Sequence, residues 1–158
     1  MELAIGAEAP KLRLDDAELG PREIPAVGGP QALFFFKVNC PTCPLAAPAV
    51  ERLRLAYPAL DVIAISQDEA SQTRAWMLEH GLSSKTAAME GELHPASAAF
   101  GLQAVPTLVL IDANGELRSV QEGWSRDGYD ELSREAARLL GVKPVLIAPA
   151  EGPAFRPG

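Results

Sequence analysis

A chain of 158 residues, 47% hydrophobic and 22% charged, has the length and composition of one globular domain that can bury a core without cross-links. Its formal charge of −7 is spread along the sequence with no Lys/Arg cluster, which excludes nucleic acid and anionic membrane as default partners. No basic segment followed by an apolar run opens the sequence, and nothing approaches the ~18 apolar residues of a membrane span, so a cytoplasmic protein is expected.

Residues 1–31 are rich in Pro and Gly, with alternating stretches at 11–14 and 22–24, which predicts a loose hairpin or edge strands leading into the core. Residues 32–38 (ALFFFKV) form a short, nearly continuous apolar run, read as a strand buried on both faces of a partly parallel sheet. The period then changes. Leu45, Val50, Leu53 and Leu55, with Ala46, Ala47 and Ala49, suit a helix over 41–57 that stops before Pro58 and kinks at Pro48.

Asp61–Ser66 (DVIAIS) reads as a second buried strand, and 67–80 as a helix packing through Ala75, Trp76, Met77 and Leu78, capped by Gly81. A short helix is predicted at 95–100, ending at Gly101. Thr107–Ile111 and 117–121 read as strands joined through Asp112-Ala113-Asn114-Gly115, whose Asn-Gly is a hairpin signal. Residues 129–140 suit an amphipathic helix. The Pro-rich stretch 142–158 is expected to add an edge strand at 145–148 and otherwise to be loosely held. The order is β-α-β-α-β-β-α behind a β preface, an α/β sheet with helices on its faces.

The only cysteines, Cys40 and Cys43, frame Pro41 and Thr42 between a predicted strand and a predicted helix. A bridge between them closes too small a loop to restrict the unfolded chain much, so chemistry explains the pair better than stapling. Residues three apart on a helical turn share a face within disulfide reach. At a helix N-terminus, free N–H groups and the macrodipole favour an anion, which marks Cys40 as the attacking sulfur. Cys43, one turn in, is the enclosed partner that resolves a mixed disulfide, and Pro41 suits a first helical turn. Two rivals exist. The cysteines could be buried packing groups, or half of a zinc site with His80 and His94, whose spacing of fourteen fits no familiar finger. Both histidines read better as surface or packing residues.

Strand, CxxC, a proline five residues beyond the second cysteine, then Val105-Pro106-Thr107 entering a hairpin: this combination resembles the thioredoxin superfamily. Within it the chain is similar to TlpA-like and peroxiredoxin-related (AhpC-TSA-like) thiol–disulfide oxidoreductases. The match extends from Gly6-Ala7-Glu8-Ala9-Pro10 through FGLQAVPTLVLIDANGEL to Gly123, over roughly residues 6–140. The resemblance implies a thioredoxin-like fold with a central mixed β-sheet flanked by helices and an N-terminal β-hairpin extension. The chain is expected to divide into a thioredoxin-like domain at 1–141 and a Pro-rich C-terminal extension at 142–158.

It also implies a cis bond before Pro106, set against the dithiol, although an X-Pro bond is otherwise cis only about 5–6% of the time. Val105's backbone would then pair with an extended substrate segment. The implied partners are a protein disulfide substrate and a protein or small-thiol electron donor, with no cofactor, no metal and a monomeric chain. Departures are informative. Asn39 stands where such proteins usually carry tryptophan, Pro-Thr replaces Gly-Pro, and Phe34 replaces thioredoxin's buried acid. The proton acceptor for Cys43 is then sought at Asp68 or Glu69, which equally suit an acidic helix start. Lys37 is placed either to stabilise the Cys40 thiolate or as a solvated strand end. A thiol peroxidase is the weaker alternative: its P-x-x-x-T-x-x-C pattern is not met, because Lys37 and Cys40 occupy the threonine positions. A non-enzymatic redox-sensing module is the other.

Overall fold

The computed structural model describes residues 3–16, 20–26 and 28–158; residues 1, 2, 17–19 and 27, within the stretch read as a loose hairpin, lie outside it. Nine strands are described: β1 (Leu12–Asp16), β2 (Pro21–Ile24), β3 (Gln31–Phe36), β4 (Asp61–Ser66), β5 (Ala87–Met89), β6 (Thr107–Ile111), β7 (Leu117–Glu122), β8 (Trp124–Ser125) and β9 (Phe155–Arg156). The described α-helices are α1 (Cys43–Ala56), α2 (Ala70–Glu79), α3 (Pro95–Ala99) and α4 (Arg126–Leu140).

Seven strands form one mixed sheet in the order β2-β1-β5-β4-β3-β6-β7. β3 pairs parallel with β4, from Gln31↔Asp61 to Phe36↔Ser66, and antiparallel with β6, from Gln31↔Ile111 to Phe35↔Thr107. All six residues of β3 are buried, as its continuous apolar run requires. Alternation sends Phe34 and Phe36 to one face, stacked at 5.4 Å, where Phe36 also stacks on Trp76 of α2 at 4.7 Å. Phe35 points the other way, to Phe100 at the end of α3. The N-terminal hairpin β1–β2 joins the same sheet through β5.

The structure differs from expectation at several places. α2 is shorter than 67–80, and Leu78 is 85% exposed, so only Trp76 and Met77 of the anticipated packing residues are buried. His80 is the cap itself and Gly81, at φ 74°, follows it, with Leu82 N–H closing back on Met77 O at 3.0 Å. α1 holds the expected Pro48 inside it, exposed. α4 starts a turn early because the Ser125 hydroxyl accepts from Gly128 N–H at 3.0 Å. β5 was not anticipated; three residues carry too little period to be read.

The largest correction concerns the stretch after α4. Residues 145–148 form no strand. Ile147 is fully buried, and the Ile147 and Ala148 amides donate to Asp130 Oδ1 at 2.8 and 2.9 Å. Val145 N–H donates to Tyr57 Oη at 2.8 Å, Tyr57 and Ser133 hydroxyls meet at 2.9 Å, and Ser133 Oγ donates to Val145 O, closing a ring of hydrogen bonds. Farther on, Arg126 N–H reaches Ala154 O at 2.8 Å and the Trp124 indole N–H reaches Pro153 O at 2.8 Å. β9 then pairs antiparallel with β8, Trp124↔Arg156 and Ser125↔Phe155. The segment is tied along its length rather than loosely held.

Candidate active site

β3 delivers the chain to a turn at residues 37–40, closed by Cys40 N–H on Lys37 O at 3.2 Å and held by Asp68 Oδ2, which accepts from Val38 N–H at 2.8 Å. The helix begins at Cys43, two residues later than expected. Thr42 occupies the cap position, but its hydroxyl makes no capping bond; it donates to Pro157 O at 2.8 Å. Pro44, next in the helix, has no N–H to offer, and Leu45 N–H is taken by Thr42 O. The Cys43 amide, one of the helix's unpaired donors, points at Cys40 Sγ at 3.0 Å. Cys40 therefore lies one turn ahead of the helix, not inside its first turn.

Cys40 Sγ also donates to Val105 O at 3.4 Å. The Val105–Pro106 peptide is cis, as is Ile24–Pro25, and Pro106 O accepts from Gly123 N–H at 2.8 Å. These contacts join the dithiol, the start of β6 and the end of β7 in one small volume. A negative charge on Cys40 Sγ would keep the Cys43 amide as its donor and lose the Val105 carbonyl, which can only accept.

Both thiols are free, and neither faces open solvent: Cys40 is 4% exposed and Cys43 0%. Burial pushes the Cys43 thiol well above the usual range; the hydrogen bond and charge of Cys40 add to this, and Lys37 pulls the other way. Tyr129, from α4, was anticipated only as a helix residue. Its hydroxyl is buried with no hydrogen-bond partner, and its ring lies 4.7 Å from that of Trp124. Burial pushes the Tyr129 phenol far up, and negative charge on Cys43 or Cys40 pushes it further. Hydrophobic periodicity finds such a residue but says nothing of its tie to the sulfurs.

The remaining anticipated residues are spread over several places. Lys37 and Pro41 are exposed, and Thr42 is buried. Asp68 and Glu69 line a cavity of about 580 Å³ with Gln67, Glu90, Glu92 and His94. Neither acid is among the groups that shift Cys43. Lys37, Gln67, Gln103 and Val105 line a smaller cavity of about 190 Å³. His80 stacks on Trp76 at 4.6 Å, and His94 sits at the start of α3. No cluster of three or more His, Cys, Asp or Glu that could hold a metal occurs among the described residues. No helix among them is long and apolar enough to cross a membrane.

Residues 5–120, more than half the chain, match the model of the AhpC/TSA family. No curated protein matches in sequence. Among solved structures, a Chlorobium tepidum protein described as the thiol:disulfide interchange protein DsbE aligns at TM-score 0.78 with 21% identity, covering 89% of this chain and 100% of that one. A Bacteroides thetaiotaomicron protein described as a protein disulfide isomerase aligns at 0.79 with 18% identity, covering 89% and 95%. A peroxiredoxin-like protein from Aquifex aeolicus aligns at 0.71 with 16% identity, covering 88% and 89%. At these identities the likeness speaks for the fold. The chain has a thioredoxin-like fold and belongs to the AhpC/TSA family.

Proposed function

We propose that this protein is a thiol–disulfide oxidoreductase that exchanges two electrons between the Cys40/Cys43 dithiol and a disulfide of a partner protein, without cofactor. The observation that carries this reading is the setting of Cys40 Sγ, 3.0 Å from a helix-start amide and 3.4 Å from Val105 O, with a second thiol buried beside it. In the reductive direction the Cys40 thiolate attacks one sulfur of the substrate disulfide. That S–S bond breaks, a mixed disulfide forms, and the other substrate sulfur leaves and takes up a proton. Cys43 then loses its proton and attacks Cys40 Sγ, breaking the mixed disulfide. The chain ends with a Cys40–Cys43 disulfide, and the substrate ends with two thiols. A dithiol or thiol donor, protein or small molecule, restores the reduced pair. Net direction follows the difference in reduction potential, so a reducing compartment runs the cycle as substrate reduction.

In this reading Pro106 and Val105 present a backbone edge to the substrate, and Thr42 and Pro41 set the spacing of the dithiol. Cys43 is held protonated until the mixed disulfide forms, with Asp68 or Glu69 as acceptor through solvent and Lys37 favouring negative charge at the turn. Insulin reduction driven by dithiothreitol tests the reading. Turnover should vanish in Cys40→Ser, and Cys43→Ala should accumulate mixed disulfides. Turnover surviving in Cys40→Ser sinks the assignment. Fast hydroperoxide consumption by the reduced protein would instead make it a peroxidase, and stoichiometric oxidation without turnover a sensor.

A further inference from the structure

The segment after Gly152 does not merely pack near the dithiol; it lies on the strip assigned above to the substrate. β9 runs along β8 and continues past Gly123 to Val105 and Thr42. Two glycines make the approach possible. A Cβ on Gly158 would sit 2.5 Å from Val105 O and 3.0 Å from Ala104 Cβ. A Cβ on Gly123, whose φ is 69°, would sit 2.8 Å from Arg156 O and 3.0 Å from Gly158 N. Thr42, inside the dithiol motif, holds Pro157 O at 2.8 Å. Backbone hydrogen bonds do this work, not buried side chains: residues 151–158 are all exposed, Phe155 at 65%. A strap held this way comes off without unfolding the core.

We propose that residues 153–158 are an intramolecular occupant of the docking strip formed by Thr42, Ala104, Val105 and Gly123, and that a partner's extended segment binds there only by displacing them. The inference rests on the exchange reading for the identity of the competitor, not for the existence of the contact. The strap shields Cys40 in the resting chain and lifts as an extended polypeptide adds to the β8 edge and reaches Val105. Small thiol reagents meet the same barrier, whereas a docked substrate removes it.

Gly158→Val in the full chain is the direct test, since any side chain at that position runs into Val105 O. A second variant ends at Gly152, and the peptide Pro-Ala-Phe-Arg-Pro-Gly is supplied to it in trans. Two readouts are taken: iodoacetamide alkylation of Cys40 in the reduced protein, and insulin turnover. Release should raise alkylation about fivefold or more, as for a site whose open fraction is about one fifth in the parent. Insulin turnover should rise with it, and the peptide should reverse both in the truncated chain. Unchanged alkylation in both variants, or a peptide without effect, overturns the strap. If alkylation responds but no variant or parent reduces insulin, the strap stands and the exchange reading fails. If alkylation is unchanged and insulin is reduced equally by all, the exchange reading stands and the strap fails.

Discussion

β3 and the segment after α4 both end at the dithiol, and they are held there by opposite means. β3 is buried along its whole length, its phenylalanines stacked between helices on the two faces of the sheet. The later segment keeps its side chains largely outside and is tied through its own carbonyls and amides to Tyr57, Trp124, Arg126, Asp130 and Ser133. Burial makes a region costly to move; a line of backbone hydrogen bonds makes it specific in place and cheap to peel. One region carries the sulfurs within the core, while the other reaches them across the surface.

Removing an aromatic ring from the first region should break the fold. Phe34→Ala or Phe36→Ala should cost about 3–5 kcal/mol in urea unfolding, whereas ending the chain at Gly152 should cost far less. Equal losses would erase the contrast. Asp130→Ala leaves two amides without their charged acceptor and should cost about 1.5–3 kcal/mol, with faster amide exchange at Ile147 and Ala148 and little change at β3.

A pH series sharpens the comparison from the sulfur side. Because burial raises the Cys43 thiol in the folded chain, the unfolded chain releases that proton first as pH climbs past the ordinary thiol range. Stability of the reduced protein is thus fully present below about pH 8.5 and falls above it, by up to about 1.4 kcal/mol per pH unit for one proton. The oxidised protein, lacking the thiol, should not show this component; parallel curves for the two forms would contradict the assignment. The smallest effect is expected at Tyr129→Phe, which removes a buried hydroxyl without a partner and should leave stability unchanged or raise it by up to about 1 kcal/mol, read as a slightly higher Tm.

Sequence reasoning was strongest where burial dictates residue type. The apolar runs at β3, β4 and β6 and the dithiol between strand and helix were all readable. Three features were not. β5 is too short to show a period. The Thr42 hydroxyl donates to Pro157 O, a carbonyl more than a hundred positions away that no local pattern announces. Outside its expected edge strand, the stretch 142–158 reads as loosely held because prolines and exposed side chains carry no signal for contacts made by main-chain atoms. Ile147, within the stretch read as an edge strand, is a buried plug whose amide belongs to Asp130.

The ring that joins Val145 to Tyr57 and Ser133 gives the segment beyond it a fixed moorage. Once lifted, residues 153–158 stay leashed a few residues from where they rest, at a local concentration on the order of millimolar. Dilution of the protein cannot empty the strip. Under the proposed strap, an incoming segment would meet a rival whose strength is the same at every protein concentration.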